Sequence, residues 1–254
     1  MIKSRVIPCL LLKGEGLVKT YKFKDPKYIG DSINAIRIFN EKEVDELLVL
    51  DITASKEGRH PNYSLIERFA SECFIPLAYG GGIKTVEQAR QLFSIGVEKI
   101  CLQTSAIDDP TLITKLSDQF GSQSVLVSLD IKRNLFGQPQ LFSSKLSKNL
   151  SIDWTGFLKK VVKAGAGEIV LNTVDRDGTM QGMDLDLIEL ASKMISVPII
   201  AVGGVGSLTD IKAAISAGAS AVAAGAFFVF HGPLRGVLIT YPGYKELEIL
   251  FENK

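Results

Sequence analysis

Residues 75–100 and 197–222 carry the same pattern, and this repetition limits what the chain can become more than any other feature. Ile75-Pro76-Leu77-Ala78-Tyr79-Gly80-Gly81-Gly82-Ile83 is answered by Val197-Pro198-Ile199-Ile200-Ala201-Val202-Gly203-Gly204-Val205. One constant shift lays Pro76 on Pro198, Gly81 on Gly203, Gly82 on Gly204, Ser94 on Ser216 and Gly96 on Gly218. Each copy opens with an unbroken apolar run that ends in glycines, the pattern of a parallel strand buried on both faces. Each continues into a helix, begun by Thr85 with Glu87 close behind or by Ser207 with Asp210, and closed by Gly96 or Gly218. The paired glycines would let the backbone approach a ligand, and the free amides of a helix start favour an anion such as phosphate. The alternative is a tight strand-to-helix turn that binds nothing. Its recurrence at the matching place weighs against that alternative.

The rest of the chain can be read as more units of the same kind. In the first half, strands are expected at Val6 to Leu12, Leu47 to Ile52, Ile75 to Tyr79 and Ile100 to Thr104. Helices are expected from Asp31 to Asn40, from Tyr63 to Cys73, after Thr85, and after Asp109-Pro110, where proline suits the first turn. In the second half, strands are expected at Val125 to Ile131, Ile169 to Val174, Val197 to Val202 and Ala221 to Ala226. Lys13 to Gly30 reads as a long loop rich in glycine and lysine, and Arg133 to Ile152 as a polar excursion at the loop face. Eight strand-helix units in 254 residues predict an α/β protein: one (β/α)8 TIM barrel domain over 1–254, built from two duplicated half-barrels of about 1–122 and 123–254. An open doubly wound sheet is the second choice, because it does not require eight even units in two matching sets.

Composition narrows the function classes. A formal net charge of +1 and the lack of a basic block give no electrostatic case for nucleic acid. No apolar run approaches the roughly 18 residues that span a bilayer. The Met-Ile-Lys-Ser-Arg start leads towards a strand, not into a signal sequence, so a cytoplasmic protein is expected. Cys9, Cys73 and Cys101 are odd in number and lack metal-ligand spacing, and His60 and His231 have no partner pattern, so neither a metal nor another cofactor is expected. Cys9 and Cys101 are expected to pack inside the barrel.

In a barrel of this kind the chemistry sits where strands end. The residues placed there are Leu11, Asp51, Gly81, Gly82, Thr104, Asp130, Asp177, Gly178, Gly203, Gly204, Ala224 and Gly225. Two Gly-Gly turns across one mouth suggest a ligand with a phosphate at each end, and Asp130 lies between them. Asp51 is as readily a carboxylate that ties down its own loop as a catalytic acid. Arg5, Glu46, Lys99 and Glu168 each stand just before a strand, so they converge on the opposite face. There they read as a stabilising ion network.

Several motifs together resemble a known family. Ile-Pro-Cys-Leu at 7–10, Leu-Asp-Ile-Thr-Ala-Ser at 50–55 with Glu57-Gly58-Arg59, Gly-Gly-Gly-Ile at 80–83, Phe-Gly-Ser-Gln at 120–123, Gly-Ala-Gly-Glu-Ile at 165–169 and Asp-Arg-Asp-Gly-Thr at 175–179 are similar to the cyclase subunit of imidazole glycerol phosphate synthase (HisF). In that family a glutaminase partner releases ammonia, which crosses the barrel and reacts with a bisphosphate aminoimidazole ribonucleotide. The products are imidazole glycerol phosphate and an aminoimidazole carboxamide ribotide.

The resemblance implies a phosphate site at Gly82, Thr104, Asp177 and Gly178 and a second at Gly203, Gly204, Ala224 and Gly225. It implies a catalytic Asp130, a substrate-covering Lys19, an ammonia gate of Arg5, Glu46, Lys99 and Glu168, and a glutaminase contact near Glu98. One position departs: Leu11 stands where the family has its other catalytic aspartate. Gln103 and Gly225 also stand where relatives usually have Asn and Ser. A leucine cannot exchange a proton, and one placed acid or base contributes roughly 10² to 10⁴ in rate. The expectation is therefore a paralogue that works as a heterodimer with a glutaminase and passes ammonia to another phosphorylated acceptor, in the manner of cyclase-like proteins that serve a sugar amidotransferase. A working histidine-pathway cyclase and a non-catalytic scaffold that activates the glutaminase are the competing readings.

Overall fold

Eight parallel strands close on themselves in the computed structural model, which describes residues 4–252. The first half runs β1 (Arg5–Lys13), β2 (Gly16–Tyr21), β3 (Lys24–Asp31), α1 (Ser32–Glu41), β4 (Leu47–Asp51), α2 (Tyr63–Glu72), β5 (Leu77–Gly80), α3 (Val86–Ser94), β6 (Lys99–Leu102), α4 (Thr104–Asp108) and α5 (Thr111–Phe120). The second half runs β7 (Val125–Arg133), β8 (Pro139–Ser143), β9 (Lys148–Asn149), α6 (Trp154–Lys163), β10 (Glu168–Thr173), α7 (Leu185–Ser192), β11 (Ile199–Val202), α8 (Leu208–Ser216), β12 (Ala221–Ala224) and α9 (Ala226–Val229). A short hairpin of β13 (Phe230–His231) and β14 (Gly236–Val237) and a last helix α10 (Tyr244–Glu252) complete it. The barrel order is β1, β4, β5, β6, β7, β10, β11, β12, with β12 pairing back onto β1. This is the (β/α)8 barrel that the strand spacing predicts.

Two apolar clusters hold it. The larger lies between strands and helices and includes Phe39, Phe69, Leu92, Leu116, Leu158 and Ile211. The smaller fills the barrel itself, with Ile7, Cys9, Ala78, Cys101, Val170 and Ala223 among its members. Cys9 and Cys101 therefore pack inside, as expected. Every barrel strand is buried on both faces, which is why the apolar runs do not alternate.

The two repeated segments fold alike. Thr85 caps α3 and Ser207 caps α8, each through a reciprocal capping box. In the first copy the box partner is Gln88, not the Glu87 suggested by the sequence, because the third helical residue is the one whose side chain reaches back. In the second it is Asp210, as read.

Other boundaries also differ from the sequence reading. Lys13 to Gly30 is no loop: β2 pairs antiparallel with β1 and with β3, and carries the chain over the barrel mouth as a hairpin. Arg133 to Ile152 contains β8 and β9, which extend β7 by antiparallel pairing. Thr104 and Ala226 open short helices and do not end strands. Met1 to Lys3 lie outside the described residues, so the reading of that start has no counterpart here. No helix among the described residues is long and apolar enough to cross a membrane.

Candidate functional site

The mouth of the barrel holds one cavity. Leu11, Lys19, Asp130, Asp177 and Gly178 line it, as do both glycine turns, Thr104, Ala224 and Gly225. All the mouth residues singled out by sequence thus meet in one place, brought from the ends of different strands.

The glycine turns have a structural demand of their own. Gly82 and Gly204 have φ of 74° and 98°, and a Cβ would lie 2.7 Å from the Arg59 carbonyl oxygen and 2.1 Å from that of Gly182. Both positions need glycine whether or not anything binds. Asp51 behaves as a loop tie: its Oδ1 accepts from the Thr53 and Ala54 amides, each at 2.9 Å, and Arg59 lies 3.4 Å from Oδ2.

Asp130 is the buried carboxylate of the mouth, 5% exposed. It lies on β7 in register with Asn172 of β10. Ser128, two residues earlier on the same strand face, donates to its Oδ1 at 3.1 Å, and Ser144 donates to its Oδ2. Burial pushes the acid up to about 6, against the hydrogen bonds of Ser144 and Ser128, while the nearby charge of Asp177 adds to the rise. A carboxyl poised there can hold or release a proton near neutral pH.

Sequence reasoning missed both serines. Ser128 could have been found from the two-residue period of a strand, but Ser144 arrives through the β7–β8–β9 excursion, whose fold the sequence did not reveal.

Asp177 faces the same cavity but is engaged with the hairpin. Its Oδ2 accepts from Thr20 Oγ at 2.6 Å and from the Phe23 amide at 3.1 Å, and its carbonyl accepts from Lys22 N at 3.0 Å. Phe23 then packs edge-on against Phe142. Burial raises the Asp177 acid, with those hydrogen bonds and the Lys19 charge opposing. Lys19 points inward from β2 and donates from Nζ to the Cys9 carbonyl at 2.6 Å, and its burial lowers the pKa of the ammonium. Leu11, half-buried, pairs with Val18 of β2 and Leu50 of β4 and offers the cavity only carbon.

At the other end, the four strand-entry charges form a closed ring. Glu46 Oε2 accepts from Arg5 at 2.6 Å and from Lys99 at 2.8 Å. Glu168 accepts from Lys99 at 2.8 Å and pairs with Arg5 through its other oxygen. Burial would raise Glu168, but the hydrogen bonds from Arg5 and Lys99 outweigh it and hold the carboxyl below its ordinary range. Glu98, next to Lys99, is exposed on the same face. Between ring and mouth lies the apolar interior of the barrel.

The chain is similar to known proteins of one family. The model of the histidine biosynthesis protein family matches residues 5–234. A Pseudomonas aeruginosa protein provisionally named imidazole glycerol phosphate synthase subunit hisF2 is 51% identical, over 98% of this chain and 100% of its own length. A Leptospira interrogans protein provisionally named subunit HisF of the same synthase is 48% identical over 99% and 100%. Imidazole glycerol phosphate synthase subunit HisF of Alkaliphilus metalliredigens is 38% identical over 91% of each chain. With a barrel, a mouth and a base of this form, the chain belongs to the histidine biosynthesis protein family, among the barrels of the HisF kind.

Proposed function

We propose that this chain is the ammonia-accepting barrel of a glutamine amidotransferase, a paralogue of the HisF cyclase that serves the amidination of a sugar. A glutaminase docks on the base near Glu98 and releases ammonia at the ring of Arg5, Glu46, Lys99 and Glu168. Neutral ammonia crosses the apolar interior, where an ammonium ion would lose its hydration without compensation. At the mouth an acceptor carrying phosphate is held at Gly82, Thr104, Asp177 and Gly178, and at Gly203, Gly204, Ala224 and Gly225. Lys19 and Asp130 act on it, Asp130 as the proton-transferring group. The matched strand-turn-helix segments are read as the trace of duplicated half-barrels of about 1–122 and 123–254.

The observation that carries this reading is the combination of a complete charged ring at the base with a mouth where Leu11 faces the cavity that Asp130 lines. The ring is what a partner supplying ammonia requires, while the family's own cyclisation uses two carboxylates. A second reading, the histidine-pathway cyclase with Asp130 alone, draws on the retained glycine turns.

The test is cyclisation of the histidine-pathway bisphosphate substrate with ammonium salt at alkaline pH, comparing the chain with its Leu11→Asp variant. The paralogue reading expects little turnover from the unmodified chain and a rise of roughly 10² or more in the variant, or none in either. Ready turnover by the unmodified chain would establish the second reading instead. Absence of any glutaminase on native purification would remove the heterodimer.

A further inference from the structure

Two hairpins on the mouth side end in bare apolar side chains. Leu135 and Phe136 form the tip that joins β7 to β8, the first fully exposed and the second 87% exposed. Leu234, 95% exposed, stands at the tip that joins β13 to β14. Leu146, between β8 and β9, and Leu238, just after β14, are exposed as well. One exposed leucine is ordinary, but a concentration of large apolar groups on one face marks an interaction site. Both hairpins are tied to the loop after β10. Arg133 donates its amide to Asp175 and its guanidinium to Asp184, each at 2.7 Å, and Arg235 donates to the Gly178 carbonyl at 2.8 Å. The two tips therefore share the mouth side of the barrel.

The turns are closed on themselves. Asn134 Oδ1 accepts from the amides of Phe136 and Gln138 at 2.9 and 3.0 Å, and the Asn134 carbonyl accepts from that of Gly137 at 2.9 Å. At the other tip Pro233 has no amide to satisfy, and the Arg235 amide donates to the Gly232 carbonyl at 3.0 Å. Unpaired backbone donors keep a turn out of an apolar medium, and these are spent within the turn.

The charge around the tips has one sign. Residues 132–152 include Lys132, Arg133, Lys145 and Lys148 and no aspartate or glutamate. Residues 227–243 include Arg235 and again no acid, in a chain whose 29 cations and 28 acids nearly balance. Asp184 and Asp108 offset part of Arg133 and Lys145, so the attraction of this face for anions is moderate and the apolar tips must supply the rest. An acidic protein and an anionic membrane would both complement it. The spacing favours the membrane: side chains standing on separate tips enter a fluid lipid layer at any spacing, whereas a protein would need a packed recess matched to each.

We propose that the β7–β8 and β13–β14 tips dock this chain on an anionic lipid surface, with Leu135, Phe136 and Leu234 entering the headgroup boundary and the flanking cations meeting lipid phosphates. Docked in this way, the barrel turns its mouth towards the membrane. The docking holds whatever the mouth converts, so it does not rest on the acceptor proposed above.

Sedimentation of the intact chain at pH 7 with vesicles of equal parts phosphatidylglycerol and phosphatidylcholine, beside vesicles of phosphatidylcholine alone, tests it. Binding to the anionic vesicles should be about tenfold tighter or more, and should weaken as salt is raised. Leu135→Ser with Phe136→Ser, and separately Leu234→Ser, should each lower it about tenfold. These positions are exposed, so the changes leave the core untouched. Phe136→Trp should shift its emission to the blue on the anionic vesicles, against the constant signal of buried Trp154, the one native tryptophan. An intact chain that ignores both kinds of vesicle would overturn the docking and leave the tips to a protein partner. Equal binding to both kinds would overturn it, and so would binding that the tip variants leave undiminished, because charge alone would then suffice. Any of these failures leaves the cyclisation test of the proposed function as it stands.

Discussion

Thr20 on β2 donates its hydroxyl at 2.6 Å to the carboxylate of Asp177, on the loop after β10 at the far side of the mouth. This bond, with the Phe23 amide on the same oxygen, latches the β2–β3 hairpin over the cavity. The hairpin is also held by pairing with β1, by the Lys22 amide on the Asp177 carbonyl, by Lys19 on the Cys9 carbonyl and by Phe23 against Phe142, while β3 is mostly exposed.

Asp177→Ala should therefore loosen the hairpin without unfolding the barrel. A hydrogen bond to a charged group is worth roughly 1.5–3 kcal/mol. Amide hydrogen exchange in 16–31 should speed up by at least tenfold, while β7 and β10 stay protected. Equal exchange in the hairpin of variant and parent would show that the latch carries nothing.

Asp130 predicts a pH-dependent cost. Its folded pKa, about 6, is above the ordinary value of 3.8, so the native state binds the proton more tightly than the unfolded chain. The stability this contributes is complete below pH 3.8 and is lost as pH rises through 6. Asp130→Asn should gain on the order of 1–3 kcal/mol relative to the parent at pH 7.5 and nothing at pH 3.5. The serines can turn to suit the amide, since hydroxyls both donate and accept. Denaturation midpoints measured across that range give the answer, and a gain that does not change with pH would contradict it.

The base ring predicts the opposite slope. Glu168 is held below its ordinary range by Arg5 and Lys99, so its stabilisation is present above pH 4.5 and lost as pH falls through the folded value. Glu168→Gln leaves two cations sharing Glu46 and should cost about 2–4 kcal/mol at pH 7. The difference from the parent should shrink on acidification towards pH 3, as urea unfolding would record.

The eight barrel strands were legible because each holds a run of apolar residues, most of them ending at glycine, asparagine or aspartate, a local signal. So were the capped helices after Thr85 and Ser207. The β2–β3 hairpin was not, since Lys24-Asp25-Pro26-Lys27 reads as solvated chain and its strand character comes from pairing with a partner. The mouth residues could be listed from their places at strand ends, but Ser144 could not, because nothing in its neighbourhood marks it as a neighbour of Asp130.

The sequence by itself determined the barrel, the glycine turns, the place of Asp130 and Leu11 at strand ends, and the strand-entry charges Arg5, Glu46, Lys99 and Glu168. Periodicity, glycine placement and strand-entry charge are all written within a few residues of one another. Only the tertiary structure decided that Asp177 latches the hairpin, that burial and two serines set the acidity of Asp130, and that Lys19 reaches the Cys9 carbonyl. Each of these depends on groups far apart in the chain that share a space closed to water, and such distances are fixed by packing, not by neighbours in sequence.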